Sequence, residues 1–334
     1  MASGMKRTAT ILALTVLATG AGCASYETTG SPRAALPLPP ELQQYYRYQS
    51  TEPIVFVHAT EEHSDYSVKD VTLFVPGTSE PIQIVWFVPN LPEPRPLILI
   101  SPIRGSDTIV VDDCARVFAS CGYHAAIVKR ARSKFDPDGP LSQVEDTLRA
   151  AVIRHRRALD WLLVQPGVDP DRVASFGISY GAIIDAALAA VEPRIKIHVI
   201  DLAGGPLAGV MRSSDELSLR HSWDCIRRGH DLTGKQVYQD LQDVIRTDPV
   251  KLAPYVSRDD VLMLIARFDR SVPTRYQIRL WHALGKPRAD FVLLGHYTSI
   301  LALPAHRLSI MNFFEEKFAE PTQPSAPGGI QAKE

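Results

Sequence analysis

Residues 173–190 read VASFGISYGAIIDAALAA, and this stretch decides the fold. Val173–Phe176 is a short apolar run, typical of a strand that is buried on both faces. Ala182–Ala190 is rich in small residues, which favours a helix packed close to a sheet. Between them, Gly177-Ile178-Ser179-Tyr180-Gly181 has a glycine two residues on either side of a serine. This pattern predicts a tight strand-to-helix turn that exposes the hydroxyl of Ser179.

Strand and helix patterns alternate on both sides of this turn. We predict an α/β fold with eight strands, of which the first two form an antiparallel hairpin and the rest are mostly parallel, with helices on both faces. The predicted strands are 66–75, 82–88, 97–100, 125–129, 173–177, 195–201, 261–266 and 291–294. In such sheets functional sites form at the carboxyl ends of the strands. Catalytic side chains are therefore expected at that edge.

Composition excludes several classes of protein. The chain is 45% hydrophobic and only 22% charged, which is unlike a disordered protein. Lys and Arg (36) balance Asp and Glu (37) to a net charge of −1, so no nucleic-acid partner is expected. Four cysteines in 334 residues are too few for a disulfide scaffold. No spacing suggests a zinc site or a glycine-rich phosphate loop, so we predict neither a metal nor another cofactor.

The first 22 residues have the features of a targeting segment. Lys6 and Arg7 precede the apolar run Ile11–Ala18, which is too short to span about 30 Å of hydrocarbon. A positive start, a short apolar run and a small-residue exit predict a signal peptide and export. The junction Gly20-Ala21-Gly22-Cys23 resembles the lipobox of bacterial lipoproteins, although Gly20 stands where that family usually has Leu. The resemblance implies a lipid on Cys23 and a place in the cell envelope; ordinary cleavage and secretion is the alternative.

The remaining chain divides by composition. Residues 23–63 read as a tether or strap, 64–318 as one α/β domain, and 319–334 as a disordered tail. A stretch of about 205–258 is predicted to be a helical cap inserted over the carboxyl ends of the strands. Its apolar residues either line a substrate pocket or pack the cap onto the domain; they are Met211, Leu217, Leu219, Trp223 and Tyr238.

A serine hydroxyl is a poor nucleophile unless a histidine, oriented by a carboxylate, accepts its proton. His296 directly follows the last predicted strand and is the predicted base. His282 and His306 lie in helical segments and are interpreted as surface or packing residues. Asp269 follows the preceding strand and is the preferred acid. Asp201, which ends another strand, is kept in reserve because it could instead cap a helix or loop.

The oxyanion of an acyl-transfer intermediate also needs hydrogen-bond donors. The backbone N–H of Tyr180, directly after the nucleophile, is the first predicted donor. The second should come from the loop that follows the strand 97–100. Pro102 has no N–H, so we assign the N–H of Ile103, with Arg104 as the alternative.

These motifs resemble the α/β-hydrolase superfamily, most closely its dienelactone hydrolase and prolyl-oligopeptidase-like branches. The resemblance rests on 158–162 (ALDWL), 168–173 (VDPDRV) and 177–181 (GISYG), and it covers about residues 66–318. It implies that Ser179 is the nucleophile, Asp269 the acid and His296 the base. Dienelactone hydrolases themselves carry a cysteine nucleophile, so lactone hydrolysis is not implied. This chain departs at Ala182, where a second glycine is common, and in having Ser-Pro at 101–102 for the usual His-Gly.

The sequence therefore predicts a serine hydrolase that cleaves carboxylic esters through an acyl-enzyme. A peptidase or amidase with the same triad is one alternative; the sequence shows no propeller segment for peptide selection, which favours the esterase. A non-catalytic envelope protein that uses the fold for binding is the other alternative, which the intact Ser, Asp and His disfavour. The oligomeric state is not indicated.

Overall fold

A sheet of ten strands organises the chain in the computed structural model, which describes residues 24–29, 33–78, 80–103, 109–132, 136 and 139–320. The strands are β1 (Ala24–Tyr26), β2 (Ile54–Glu62), β3 (Tyr66–Phe74), β4 (Ile82–Pro89), β5 (Arg95–Ser101), β6 (His124–Val128), β7 (Val168–Ile178), β8 (Ile197–Asp201), β9 (Val261–Ala266) and β10 (Arg288–Val292). Their order is β1-β10-β9-β8-β7-β5-β6-β4-β3-β2. The six central strands from β10 to β6 are parallel to one another, and β1, β4, β3 and β2 pair antiparallel.

The predicted α/β-hydrolase fold is confirmed, whereas the predicted count of eight strands is too low. The two additional strands, β1 and β2, both lie in the segment 23–63 predicted as a tether or strap. β1 has only three residues, too few to show a period. All nine residues of β2 are exposed on an edge of the sheet, so no buried face imposes an alternating pattern on them. The domain limits stay a prediction, but the sheet begins before Ser64.

Helices cover both faces of the sheet, as predicted. They are α1 (Pro40–Tyr45), α2 (Ile109–Ser120), α3 (Ser142–Leu162), α4 (Tyr180–Val191), α5 (Leu207–Ser213), α6 (Leu217–Gly229), α7 (Gly234–Val244), α8 (Pro249–Leu252), α9 (Thr274–Ala283) and α10 (Leu303–Ala319). Apolar residues of α3, α4 and α9 form one core on the sheet, and those of α2 and α10 form a second core on its other face. The small residues of α4 allow it to approach β7 and β8 closely.

Helices α5 to α8 occupy the stretch in which the cap was predicted. Trp223 and Ile226 of α6 and Val237 and Leu241 of α7 are buried in the larger core, so they pack the cap onto the domain. Met211 and Tyr238 are partly buried against the same core, while Leu217 is exposed. Asp248 joins the two ends of the insertion, because its carboxylate accepts the N–H groups of Leu207 and Val250.

The segment after α1 is fastened to the body of the protein. Glu145 on α3 is buried and accepts hydrogen bonds from the Tyr45 hydroxyl and from the N–H and hydroxyl of Thr247. Tyr46 is also buried, with its hydroxyl 2.8 Å from that of Thr247. The middle of the 23–63 segment therefore packs against α3.

None of the helices among the described residues is long and apolar enough to span a bilayer. The predicted signal peptide, Cys23 and the tail from residue 321 lie outside the described residues.

Candidate active site

Ser179 lies in the turn between β7 and α4, in a backbone conformation that residues with side chains rarely adopt (φ 57°, ψ −115°). Both flanking glycines are required by space. A Cβ on Gly177 would lie 2.6 Å from the carbonyl carbon of Gly181, and a Cβ on Gly181 would lie 1.9 Å from the carbonyl oxygen of Ser101. The Ser179 N–H donates to the Asp201 carbonyl (2.8 Å), which fixes the turn to β8. The predicted strand-to-helix turn is therefore present.

The three side chains predicted from sequence meet at the carboxyl edge of the sheet. His296 Nε2 lies 3.0 Å from Ser179 Oγ, and His296 Nδ1 lies 2.6 Å from Asp269 Oδ2. The Asp269 side chain is fully buried and that of His296 is 11% exposed. Because the carboxylate accepts the Nδ1–H, the lone pair of Nε2 is free to accept a proton from the serine hydroxyl.

Two hydrogen-bond donors that were not predicted from sequence hold Asp269 in place. The Val272 N–H donates to Oδ1 (2.9 Å), and the Gln277 amide donates to Oδ2 (2.8 Å). Gln277 is buried on α9, and its carbonyl oxygen accepts the N–H of Ala266 at the end of β9. A single glutamine on a helix has no sequence signature, so only the folded chain shows that it orients the acid.

Asp201, the reserve acid, does not contact His296 and belongs to a second cluster. Its Oδ2 lies 2.9 Å from His306 Nε2, while His306 Nδ1 lies 2.8 Å from Asp290 Oδ2. Of the two predicted roles for His306, a surface position is excluded, because the ring is fully buried between two carboxylates. Burial alone would lower the pKa of His306, but the Asp201 and Asp290 carboxylates outweigh it and raise the pKa to about 9.

The loop that carries the predicted oxyanion donor Ile103 lies against the nucleophile turn. A Cβ on Gly181 would meet the carbonyl oxygens of both Ser101 and Pro102. The Ser101 hydroxyl donates to Asp185 on α4 (2.8 Å), and burial raises the pKa of Asp185 well above its usual range. The roles of the Tyr180 and Ile103 N–H groups stay predictions, and the alternative, Arg104, lies outside the described residues.

Contacts around His296 and Tyr180 involve residues that were not predicted from sequence. The hydroxyl of Tyr297, next to His296, donates to Glu216 at the start of α6, so the cap is joined to the segment that carries the base. The Tyr297 ring packs edge-on against the His296 ring at 5.3 Å. On another side, the Arg130 guanidinium lies 4.2 Å above the Tyr180 ring.

Among the residues that the structure describes, no group of three His, Cys, Asp or Glu side chains is arranged to hold a metal ion. Cys114, Cys121 and Cys225 are free thiols. Burial raises the pKa of Cys114 to about 12, so this thiol is not a nucleophile at neutral pH.

Solved structures share this architecture at low sequence identity. The acetyl xylan esterase from Paenibacillus sp. R4 has 18% identity and a TM-score of 0.65, covering 84% of this chain and 99% of that chain. Acetyl xylan esterase 1 from Thermoanaerobacterium sp. has 16% identity and a TM-score of 0.62, covering 84% and 94%. The acylaminoacyl peptidase of Pyrococcus horikoshii has 16% identity and a TM-score of 0.54, with 82% of this chain aligned to 51% of that one. Among curated proteins, no sequence matches significantly.

The protein family is shown by a match to a family model, since these distant structures show only the fold. The model of the X-Pro dipeptidyl-peptidase (S15) family matches residues 38–229, more than half of the chain. The matched range contains the turn with Ser179 and ends before Asp269 and His296. Together with the α/β-hydrolase fold, this match shows that the chain belongs to the S15 peptidase family of serine hydrolases.

Proposed function

We propose that the protein cleaves carboxylic esters through a covalent acyl-enzyme on Ser179. The observation that carries the proposal is the position of His296, within hydrogen-bond distance of both Ser179 Oγ (3.0 Å) and Asp269 Oδ2 (2.6 Å). A nucleophile next to a base that is itself oriented by an acid is the arrangement that acyl transfer requires.

The residues have defined roles in this mechanism. Ser179 Oγ attacks the acyl carbon while its proton passes to His296 Nε2, and the N–H groups of Tyr180 and Ile103 stabilise the oxyanion. The intermediate collapses, and the leaving alcohol takes the proton from Nε2. Water then attacks the acyl-enzyme by the same route and restores Ser179. Asp269 stays ionised, keeps the proton on Nδ1 and stabilises the imidazolium.

The preference for esters is supported by the extent of the structural similarity. The chain aligns with 94–99% of the two acetyl xylan esterases but with only 51% of the acylaminoacyl peptidase. These neighbours share the fold, so they support the substrate class without naming the substrate.

A peptidase with the same three residues is the second candidate, and the S15 family match favours it. The chemistry differs in the leaving group. An amine must receive the proton from His296 before it departs, whereas an alcohol leaves more readily.

A substrate panel separates the two candidates. Purified protein is assayed with p-nitrophenyl esters of two to eight carbons and with aminoacyl and X-Pro p-nitroanilides, beside Ser179→Ala as the control. We expect kcat/KM for the best ester to exceed that for the best anilide by about 100-fold or more. The reverse ranking would assign the protein to the peptidases.

We propose further that residues 1–22 are a signal peptide and that Cys23 carries a lipid, which would place the enzyme in the cell envelope. The charge, apolar run and small-residue exit before Cys23 support this proposal. Metabolic labelling with a radioactive fatty acid should mark the parent protein and leave Cys23→Ala unlabelled. Equal labelling of the parent and of Cys23→Ala would contradict the proposal that the lipid is attached to Cys23.

A further inference from the structure

Exposed apolar side chains surround the carboxyl edge of the sheet on the side of β9 and β10. Six of them leave between 49% and 70% of their surface exposed, and we refer to them together as the apolar rim: Phe268, Leu293, Tyr297, Ile300, Leu301 and Leu308. Isolated exposed apolar residues are ordinary, but a continuous set indicates an interaction surface.

Backbone hydrogen bonds join the segments that carry the rim. The Phe268 N–H donates to the Leu294 carbonyl (2.9 Å), so the segments that follow β9 and β10 run side by side. The Ser299 N–H donates to the Gly295 carbonyl (3.0 Å), which folds the chain directly from the strand end into the 3₁₀ turn Thr298–Ala302 and then into α10. Tyr297, inside this turn, contacts the ring of His296.

The same segment has buried residues that face the domain and exposed residues that face away from it. Ser299, Ala302 and His306 are buried against the domain, while Leu301 and Leu308 face away from it. Ala302 and Leu294 belong to a small apolar cluster beneath the rim. The segment that carries Leu301 and Leu308 is therefore packed against the domain, and these two side chains project from it.

β1 begins at this same edge of the sheet. β1 runs antiparallel to β10, and its first residue, Ala24, is paired with Phe291, one residue before the end of β10. Cys23 is bonded directly to Ala24. A lipid on Cys23 would thus be attached one residue before the strand that begins at this edge.

Exposed basic side chains accompany the apolar ones. Arg267 precedes Phe268, and Arg270 and Arg275 follow it; all three are exposed. Arg270 has its closest carboxylate, that of Asp215, at 3.6 Å in an exposed pair. Basic residues beside apolar ones suit the anionic headgroups and acyl boundary of a bacterial membrane.

From these features we infer that the apolar rim docks on a lipid bilayer, with Ser179 facing the membrane. A lipid on Cys23 would hold the protein at a bilayer, and contact of the rim with the bilayer would orient the domain on it. Tyr297 of the rim contacts His296, so a bilayer on the rim would bring lipid substrates next to the base. The substrate class is therefore an ester that is carried in the membrane; this part of the inference rests on the proposed function.

Vesicle binding tests the surface independently of catalysis. The protein without its proposed signal peptide (residues 1–22) and with Cys23→Ser, which cannot be acylated at that position, is sedimented with vesicles of phosphatidylethanolamine and phosphatidylglycerol (3:1). The rim variant carries Leu293→Ser, Leu301→Ser and Leu308→Ser. The matched control carries Ile54→Ser, Phe56→Ser and Val57→Ser, which removes three exposed apolar residues from β2 at the opposite end of the strand order.

We expect the rim variant to lose about tenfold in vesicle affinity, since three apolar side chains no longer enter the interface. The control should bind as the parent does, and both should hydrolyse soluble p-nitrophenyl acetate at the parent rate. With p-nitrophenyl palmitate embedded in the vesicles, only the rim variant should be slow.

Three results would overturn the inference. The first is equal vesicle affinity of the rim variant and the parent, and the second is absence of vesicle binding by the parent. The third is concentration-dependent self-association that disappears only in the rim variant, which would make the rim a contact between copies of the chain. Failure of the parent to cleave any ester would contradict the proposed function instead and would leave the vesicle result to decide the docking surface.

Discussion

The turn that exposes the hydroxyl of Ser179 is tightly packed. Its positive φ is unfavourable for a residue with a side chain, and two glycines that allow no Cβ flank it. The bond from its N–H to the Asp201 carbonyl and the approach of Ser101 to Gly181 hold this conformation. The reactivity of the serine thus depends on backbone packing as well as on His296.

Gly181→Ala tests this packing. The new Cβ would lie 1.9 Å from the Ser101 carbonyl oxygen, so β5 and α4 must separate. We expect a loss of more than about 2 kcal/mol in the free energy of unfolding and a large loss of turnover. Urea unfolding monitored by circular dichroism measures the first. Gly234→Ala is the control, because its Cβ meets only Trp223 at 3.9 Å; equal stability of the two variants would contradict the account.

Asp269→Asn tests the orientation of the base. Asparagine keeps the size of the side chain but can donate to His296 Nδ1, which would favour the wrong tautomer. We expect kcat to fall by about 10⁴-fold with little change in the unfolding midpoint. Asp169→Asn, which removes the partner of Arg172 at the start of β7, is the control and should keep parent turnover. Parent-like hydrolysis by Asp269→Asn would return Asp201 to consideration as the acid.

At the scale of secondary-structure elements, the cluster around His306 joins four of them. The ring lies on α10 and contacts Asp201 at the end of β8 and Asp290 on β10, while the Ser25 hydroxyl of β1 donates to Asp290 (2.6 Å). Asp201 in turn holds the Ser179 N–H through its carbonyl. The last helix and the first described strand are thereby connected to the nucleophile turn.

The stability of the protein should fall above neutral pH because of this cluster. The pKa of His306 is about 9 in the folded protein, against 6.5 for an ordinary histidine, so the folded state binds more protons between these two values. The contribution of His306 is complete below pH 6.5 and is lost as the pH rises through 9. Urea unfolding between pH 6 and 10 measures the decline.

His306→Gln removes the titrating group and should flatten this decline while lowering stability overall. His282→Gln on α9 is the control, since His282 is exposed and should leave the profile unchanged. If the first variant does not fold, the proton resonances of the His306 ring give its pKa directly in the parent. A ring that is neutral at pH 7 would contradict the account.

At the scale of the whole molecule, the sequence predicts what depends on neighbouring residues and misses what depends on distant ones. The turn around Ser179 is recognisable in the sequence because local crowding of the backbone requires its two glycines. Asp269 and His296 are recognisable because each follows a strand whose apolar run is clear. Gln277 and His306 escape prediction because their partners lie in other elements.

The sheet shows the same limit. Its central strands are buried on both faces and read as continuous apolar runs, so they were predicted. β1 pairs with β10 across most of the chain, and β2 lies exposed at the edge, so neither has a local pattern. The cap was predicted by its position and helical content, while its contact with the base through Tyr297 and Glu216 appears only in the folded protein.

Three histidines buried across the molecule should limit its stability in acid. Burial lowers the pKa of His124 and His155 to about 4 and that of His198 to about 3. The unfolded chain therefore binds more protons below pH 6.5, and the free energy of unfolding should fall with decreasing pH. Each histidine contributes up to roughly 1.4 kcal/mol per pH unit. Unfolding between pH 4.5 and 6.5 measures the slope, which His198→Asn should reduce; a flat profile would be inconsistent with neutral buried rings.

The central claim is that Ser179 is an activated nucleophile, and labelling with a fluorophosphonate probe tests it most directly. Such a probe phosphonylates a serine whose proton is taken by a neighbouring base, and it requires no knowledge of the substrate. We predict that the purified parent is labelled and that Ser179→Ala, with the same circular dichroism spectrum, is not. A folded parent that remains unlabelled, or a Ser179→Ala variant that is labelled equally, would contradict the account.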